Sequence, residues 1–174
     1  MSGDLFSLKP IVVRAVEVRT RSGVRLKPLV DHPGAVVIVP VQKGEVYLIR
    51  QWRYAVGEEL IEVPAGTLEP GEEPDKTAVR ELREEAGLEA GRLIKFYEAY
   101  SIPGYGNELM HFYIATDLRE VGQRQEEDEE ITVLRVSLDE AIRMVEDNRI
   151  RDLKTSLALL MAERILRMGL LDVN

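Results

Sequence analysis

Cysteine is absent from the 174 residues, which excludes disulfides, thiolate metal sites and a cysteine nucleophile. Histidine is almost as scarce: His32 and His111 are the only two. They lie too far apart for a metal pair to be read from spacing, and both read as structural. A metal ion would have to sit among oxygen ligands or these imidazoles, which points to magnesium or manganese. No apolar run approaches the ~18 residues of a membrane-spanning helix. The opening MSGDLFSLKP lacks the basic and then apolar pattern of a signal peptide, so a cytoplasmic location is expected. Positive charge is in deficit, with 23 Lys and Arg against 31 Asp and Glu and a net charge of −8. That balance disfavours a nucleic-acid backbone as the main partner. A small anionic substrate stays admissible if a cation mediates the contact.

What is present is ordinary globular material, 45% hydrophobic and 31% charged, long enough for one domain with a real core. No internal repeat or low-complexity tract appears. IVVRAVEVRT (11–20) alternates like a strand, RSG turns, and 24–31 continues, so an N-terminal antiparallel hairpin is expected. AVVIVPV (35–41) reads as a buried strand. In VYLIRQWRY (46–54), period-two spacing puts Leu48, Arg50 and Trp52 on one face and Tyr47, Gln51 and Arg53 on the other. LIEV (60–63) makes a further strand, and others are expected near 92–100, 109–116 and 131–137. A helix starts near Pro74, with Asp75 at its positive end, and stops at Gly87. Two more helices, at about 138–147 and 153–168, close the chain. Strands and helices mix without regular alternation, which gives an α+β fold with a mixed sheet flanked by helices.

The densest chemistry lies in GTLEPGEEPDKTAVRELREEAGL (66–88). Glu81, Glu84 and Glu85 crowd one helical turn, although like charges at this spacing cost a few tenths of a kcal/mol per pair. Their carboxylates are three and four residues apart, so they can converge beyond the helix surface. Oxygen-only ligands suit Mg²⁺, which keeps several waters and bridges to substrate phosphates. Gly66 and Gly71 let the preceding loop bend and its backbone approach an ion. Arg80 is placed to orient loop and helix through a carboxylate such as Glu72.

The pattern is Gly66, five residues, Glu72, seven residues, then Arg80-Glu81-Leu82-x-Glu84-Glu85-x-Gly87-Leu88. It resembles the Nudix hydrolase signature at every fixed position, a coincidence rarer than roughly one in a billion per starting position. The resemblance implies a Nudix-type α/β/α sandwich over 35–174, preceded by a segment, 1–34, that related enzymes exchange between subunits of a homodimer. It also implies Mg²⁺, or Mn²⁺, held by Glu81, Glu84, Glu85 and the backbone carbonyl of Ala65.

SIPGYGNE (101–108), whose Pro103 lies sixteen residues beyond Gly87, resembles a segment of the ADP-ribose pyrophosphatases, as do RQWRY (50–54), EVPAG (62–66) and the acidic EEDEEI (126–131). The activity implied is Mg²⁺-dependent cleavage of the ADP-ribose pyrophosphate to AMP and ribose 5-phosphate. Other nucleoside diphosphate sugars or dinucleotides are the nearest alternative. A non-catalytic nucleotide sensor is another, which the intact acidic box disfavours. Arg53 can pair with a phosphate bidentately, Trp52 can stack on adenine, and Glu62 can accept from its amino group. Pro103 and Gly104 would shape a loop against the terminal ribose. Carboxylates engaged with a cation make poor bases, so the resemblance puts the general base in the acidic loop. Glu127 is its first candidate, Glu129 the second or an additional metal ligand, and Glu84 the fallback within the box.

Overall fold

The computed structural model of the chain describes residues 3–124 and 130–171. Ten strands and three helices are assigned among them. The N-terminal part is a three-stranded antiparallel sheet of β1 (Gly3–Leu8), β2 (Ile11–Thr20) and β3 (Gly23–Asp31), one strand more than the expected hairpin. β1 was not foreseen because GDLFSL carries little alternation, and its pairing with β2 shifts register between Asp4 and Phe6.

The larger sheet has seven strands. Five run in the order β10 (Ile131–Ser137), β5 (Glu45–Arg53), β4 (Ala35–Gln42), β9 (Leu109–Glu120) and β8 (Leu88–Tyr100). Only β4 and β9 pair in parallel, so the sheet is mixed. β4 is buried on both faces, which explains why AVVIVPV shows no polar alternation. Val36 and Ile38 pack with Ala78, Leu82 and Ala86 of helix α1 (Pro74–Ala86). Val37, Val39 and Val41 pack on the opposite side with Ala141 and Met144 of α2 (Leu138–Glu146) and Ala158 and Leu159 of α3 (Leu153–Arg167). The result is the α/β/α sandwich, with each fully buried Leu or Ile contributing about 1.5–3 kcal/mol.

A fork in this sheet positions the site. β4 and β5 pair only beside their turn, at Val41–Val46 and Gln42–Glu45. Beyond it they diverge, and two short strands occupy the gap: β6 (Glu58–Glu62) on β5 and β7 (Ala65–Thr67) on β4. The connection between them is pinned from both sides. Ile38 N–H donates to Pro64 O at 2.8 Å, and Val63 N–H donates to Thr155 Oγ1 at 3.0 Å. Thr155 itself belongs to the N-terminal cap of α3, where Asp152 accepts from its backbone N–H at 3.0 Å and from its hydroxyl at 2.6 Å. Helix α1 ends as its sequence predicts, with Gly87 at φ 67°, ψ 29° and its N–H on Arg83 O, a left-handed cap that glycine adopts without a Cβ penalty.

Candidate active site

Two faces of α1 are buried for different reasons. Ala78, Leu82 and Ala86 meet the sheet, whereas Glu81 and Glu85, only 9% and 3% exposed, turn towards β7. Glutamates are seldom buried unless they are paired, and here each has a partner. Glu85 Oε2 accepts from the backbone N–H of Ala65 at 2.8 Å. Glu81 Oε1 accepts from Arg80 at 2.7 Å. The Glu81 carboxylate lies so close beneath Gly66 that a Cβ there would stand 1.9 Å from Glu81 Cδ and Oε1. The glycine that opens the motif is therefore required by a side chain fifteen positions away.

Arg80 is the hub of the cluster. It reaches Glu81, Glu84 at 3.0 Å and Glu72 through two N–H groups at 3.2 and 3.0 Å. It also donates to Thr67 O at 3.3 Å, tying helix to loop as the sequence suggested. The hydrogen bond from Arg80 is the main reason Glu72 is held down to about 2, and the Glu72 carboxylate in turn raises the guanidinium above its ordinary range. Among the described residues no three acidic or histidine side chains form a ready metal cage; Arg80 stands between the carboxylates. The donor set is nevertheless all oxygen, and the space over Glu81 is kept free of a Cβ. These residues fit Mg²⁺ or Mn²⁺.

Ala65, Gly66, Thr67, Arg80, Glu81, Glu84 and Glu85 line a cleft of about 740 Å³, with Arg53 at its border. A second hollow of about 460 Å³ shares Arg53, Ala65, Gly66 and Thr67 with it and adds Ser101, Ile102, Glu108 and Lys154. Arg53 thus stands between a carboxylate-rich chamber and a more mixed one. Its guanidinium donates two parallel hydrogen bonds to Glu62, Nε to Oε1 at 2.7 Å and a terminal nitrogen to Oε2 at 2.7 Å. Lys154 reaches the same carboxylate.

Glu62 is 1% exposed. Burial alone would push its carboxyl up, but Arg53 and Lys154 outweigh that and hold it below its ordinary value. The hydrogen bond to Glu62 is likewise the chief reason the Arg53 guanidinium is raised.

Glu62 Oε1 accepts from Arg53, and Oε2 accepts from Arg53 and Lys154. That position makes Glu62 the holder of Arg53. Trp52 is 56% exposed, points to the opposite face of β5 from Arg53, and lines neither hollow. Pro103 and Gly104 sit in the turn beside the second hollow, whose wall is formed instead by Ser101, Ile102 and Glu108. Glu127 and Glu129 lie outside the described residues. Asp152 and Lys154 escaped the sequence reading. Asp152-x-x-Thr155 has the form of a helix cap, but nothing local links it to Glu62, 92 residues away from Lys154.

Residues 30–158 match the NUDIX domain. The chain belongs to the Nudix family. Among Nudix relatives, an ADP-ribose pyrophosphatase of Bacillus subtilis is 37% identical over 160 residues, covering 90% of this chain and 86% of that protein. A GDP-mannose pyrophosphatase of Citrobacter koseri is 41% identical over 127 residues, covering 68% and 66%. The crystal structure of an ADP compounds hydrolase superposes with a TM-score of 0.85 at 23% identity, covering 97% of this chain and 93% of that one, and supports the Nudix fold. The Nudix signature falls on the 65–67 strand and α1, the two elements that wall the carboxylate chamber. No helix among the described residues is long and apolar enough to cross a membrane.

Proposed function

We propose that this Nudix chain hydrolyses the pyrophosphate bond of ADP-ribose, releasing AMP and ribose 5-phosphate. The observation that carries the reading is the pairing of two chambers across Arg53, one walled by the motif glutamates and one by the 101–108 segment. A diphosphate between two bulky ends suits such a site: its charged centre lies against the glutamates and Arg53, and the ends extend to either side. Glu81, Glu84 and Glu85 with the Ala65 carbonyl would hold the divalent ion, and that ion supplies neutralisation of the diphosphate and a more acidic attacking water.

The chain's own residues do the rest. Glu62, itself engaged by Lys154, fixes one edge of the Arg53 fork and leaves the remaining N–H groups to meet a phosphate. The Ala65 N–H orients Glu85, and Gly66 admits Glu81. Glu127 is proposed as the general base on the family likeness, with Glu129 and Glu84 after it. The segment 1–34 is proposed to join two copies into a homodimer ahead of the catalytic unit at 35–174.

The relatedness to GDP-mannose pyrophosphatases supports a second reading, in which another nucleoside diphosphate sugar is the preferred substrate. One experiment separates the readings: kcat/KM for ADP-ribose, ADP-glucose, GDP-mannose, NADH, FAD and diadenosine compounds, each with Mg²⁺, with Mn²⁺ and after chelation. ADP-ribose should lead, and chelation should abolish turnover. A higher kcat/KM for GDP-mannose would replace the first reading with the second, and binding without turnover of any compound would replace both with a sensor.

A further inference from the structure

We propose that Lys154, in the first turn of α3, is a positioning residue that sets the Arg53 guanidinium through Glu62, so that a helix outside the signature governs how tightly the diphosphate is held. The proposal rests on the nucleoside diphosphate reading above, in which Arg53 meets a phosphate.

Arg53 is the last residue of β5, and a long side chain at a strand end must be held if its fork is to face a ligand. Its two hydrogen bonds to Glu62 do this, so the guanidinium is only as fixed as the Glu62 carboxylate. Glu62 in turn is tied to α3 along two lines. The backbone line runs through its neighbour: Val63 N–H donates to Thr155 Oγ1 at 3.0 Å, which determines where Glu62 stands. The side-chain line is Lys154 Nζ, which donates to Glu62 Oε2 and determines how the carboxylate is turned. Both lines start from one group, since Asp152 Oδ2 accepts from Lys154 Nζ at 3.0 Å as well as from the Thr155 N–H and hydroxyl.

Loss of the lysine removes one of the three hydrogen bonds that Arg53 and Lys154 give to Glu62. The backbone stays pinned, but carboxylate and guanidinium are then free to turn as a unit. The buried carboxylate also loses one of the two cations that keep it charged. Lys154 lines the second hollow beside Arg53, so a direct contact with the ligand is the competing role. The geometry favours positioning: the Lys154 side chain is 19% exposed, and two carboxylates already engage its ammonium, leaving one of its three donors.

The test measures ADP-ribose hydrolysis with Mg²⁺ by wild type, Lys154→Met, Lys154→Gln, Glu62→Gln and the double variant Glu62→Gln/Lys154→Met. Arg167→Met serves as control, because it removes an exposed cation of α3 that pairs with Asp139 and Glu163. Lys154→Met should raise KM about fivefold, within the coupling range of residues that share one hydrogen-bond network, with kcat within about twofold. Lys154→Gln keeps an N–H donor for Glu62 and should recover part of that loss; it decides the matter if the methionine variant does not fold. Arg167→Met should match wild type. In the Glu62→Gln background, further loss of Lys154 should leave KM within about twofold, because the route to Arg53 is already cut. A direct contact between Lys154 and the ligand would instead multiply the two losses and overturn the proposal. A merely structural role would lower Tm without moving KM, so KM within twofold of wild type in every folded Lys154 variant would overturn it too. Calorimetric titration with ADP keeps the two claims distinct. Weaker ADP binding by the Lys154 variants supports the positioning role even if ADP-ribose is not the substrate. Equal binding refutes that role alone, and no ADP binding by wild type refutes both.

Discussion

Replacing Gly66 by alanine should disable the site through one atom. The added Cβ would stand 1.9 Å from Glu81 Cδ and Oε1 and 2.4 Å from Oε2, where ordinary contacts begin at 3.4 Å. The carboxylate must therefore retreat by well over an ångström or β7 must lift from α1. A displacement of about 1 Å at a catalytic group costs on the order of a hundredfold in rate, so kcat should fall at least that far. The clash falls on the end of a flexible side chain, so the overpacking penalty should stay near 1–3 kcal/mol. In a domain of this size that amounts to roughly 2–12 °C in Tm. The assay is initial-rate hydrolysis over a Mg²⁺ series, beside thermal melts and a double-mutant cycle with Glu81→Gln. If Gly66 acts by admitting Glu81, the double variant should be no slower than Glu81→Gln alone. A folded Gly66→Ala protein retaining more than about a third of wild-type kcat would refute the argument, as would losses that multiply in the double variant.

Glu62→Gln leaves Arg53 and Lys154 facing each other without their counterion, which should cost about 3–5 kcal/mol and raise KM as Arg53 loses its anchor. The folded pKa of Glu62 lies below its unfolded value of about 4.3. Its contribution is therefore complete above that value and fades as pH falls, so urea titrations from pH 7 to pH 3 should show a shallower acid limb in the variant; parallel limbs would count against it. The N-terminal sheet aligns Phe6, Leu8, Ile11, Val24 and Leu26 on one exposed face by its registers, and sedimentation velocity should find a homodimer that Leu26→Glu weakens, whereas a monomeric, fully active wild type would dismiss it. Glu127→Gln should lower kcat by a hundredfold or more if Glu127 is the general base, with KM little changed. A loss under about threefold, roughly 0.65 kcal/mol, would move the search to Glu129 and then Glu84.

Legibility in the sequence followed the range of the interactions. The motif was readable because its chemistry demands particular residue types at helical spacing, and α1 does run from Pro74 to Ala86 under a Gly87 cap. The strand faces were readable because side chains alternate: Tyr47 and Val46 fall in the two separate cores, as period two requires. The partnership of Arg53 with Glu62 was not readable, although both residues were singled out. It depends on the β5–β6 register, which places Ile49 opposite Glu62 and Arg53 opposite Glu58, and no local pattern encodes a register formed across a turn. Lys154 was missed for the same reason on a larger scale: it reaches Glu62 from the first turn of α3, and only the assembled topology brings the two together.

The crowding of Glu81, Glu84 and Glu85 posed a question of charge, and the sequence appeared to demand a cation from outside. The structure adds a cation from inside. Arg80 lies within 3.0 Å of Glu81 and Glu84 and also binds Glu72 and Thr67 O. Part of the repulsion is therefore already offset in the folded chain, and the motif can form its helix and loop before any ion arrives. A permanent counterion at that position has a consequence for chemistry. If Glu81, Glu84 and Glu85 hold a divalent ion, as proposed, Arg80 already lies on oxygens of Glu81 and Glu84, and the Ala65 N–H holds Glu85. In that proposal the Ala65 N–H fixes Glu85, Gly66 leaves the space that Glu81 fills, and Glu84, at 30% side-chain exposure, has the most room to move.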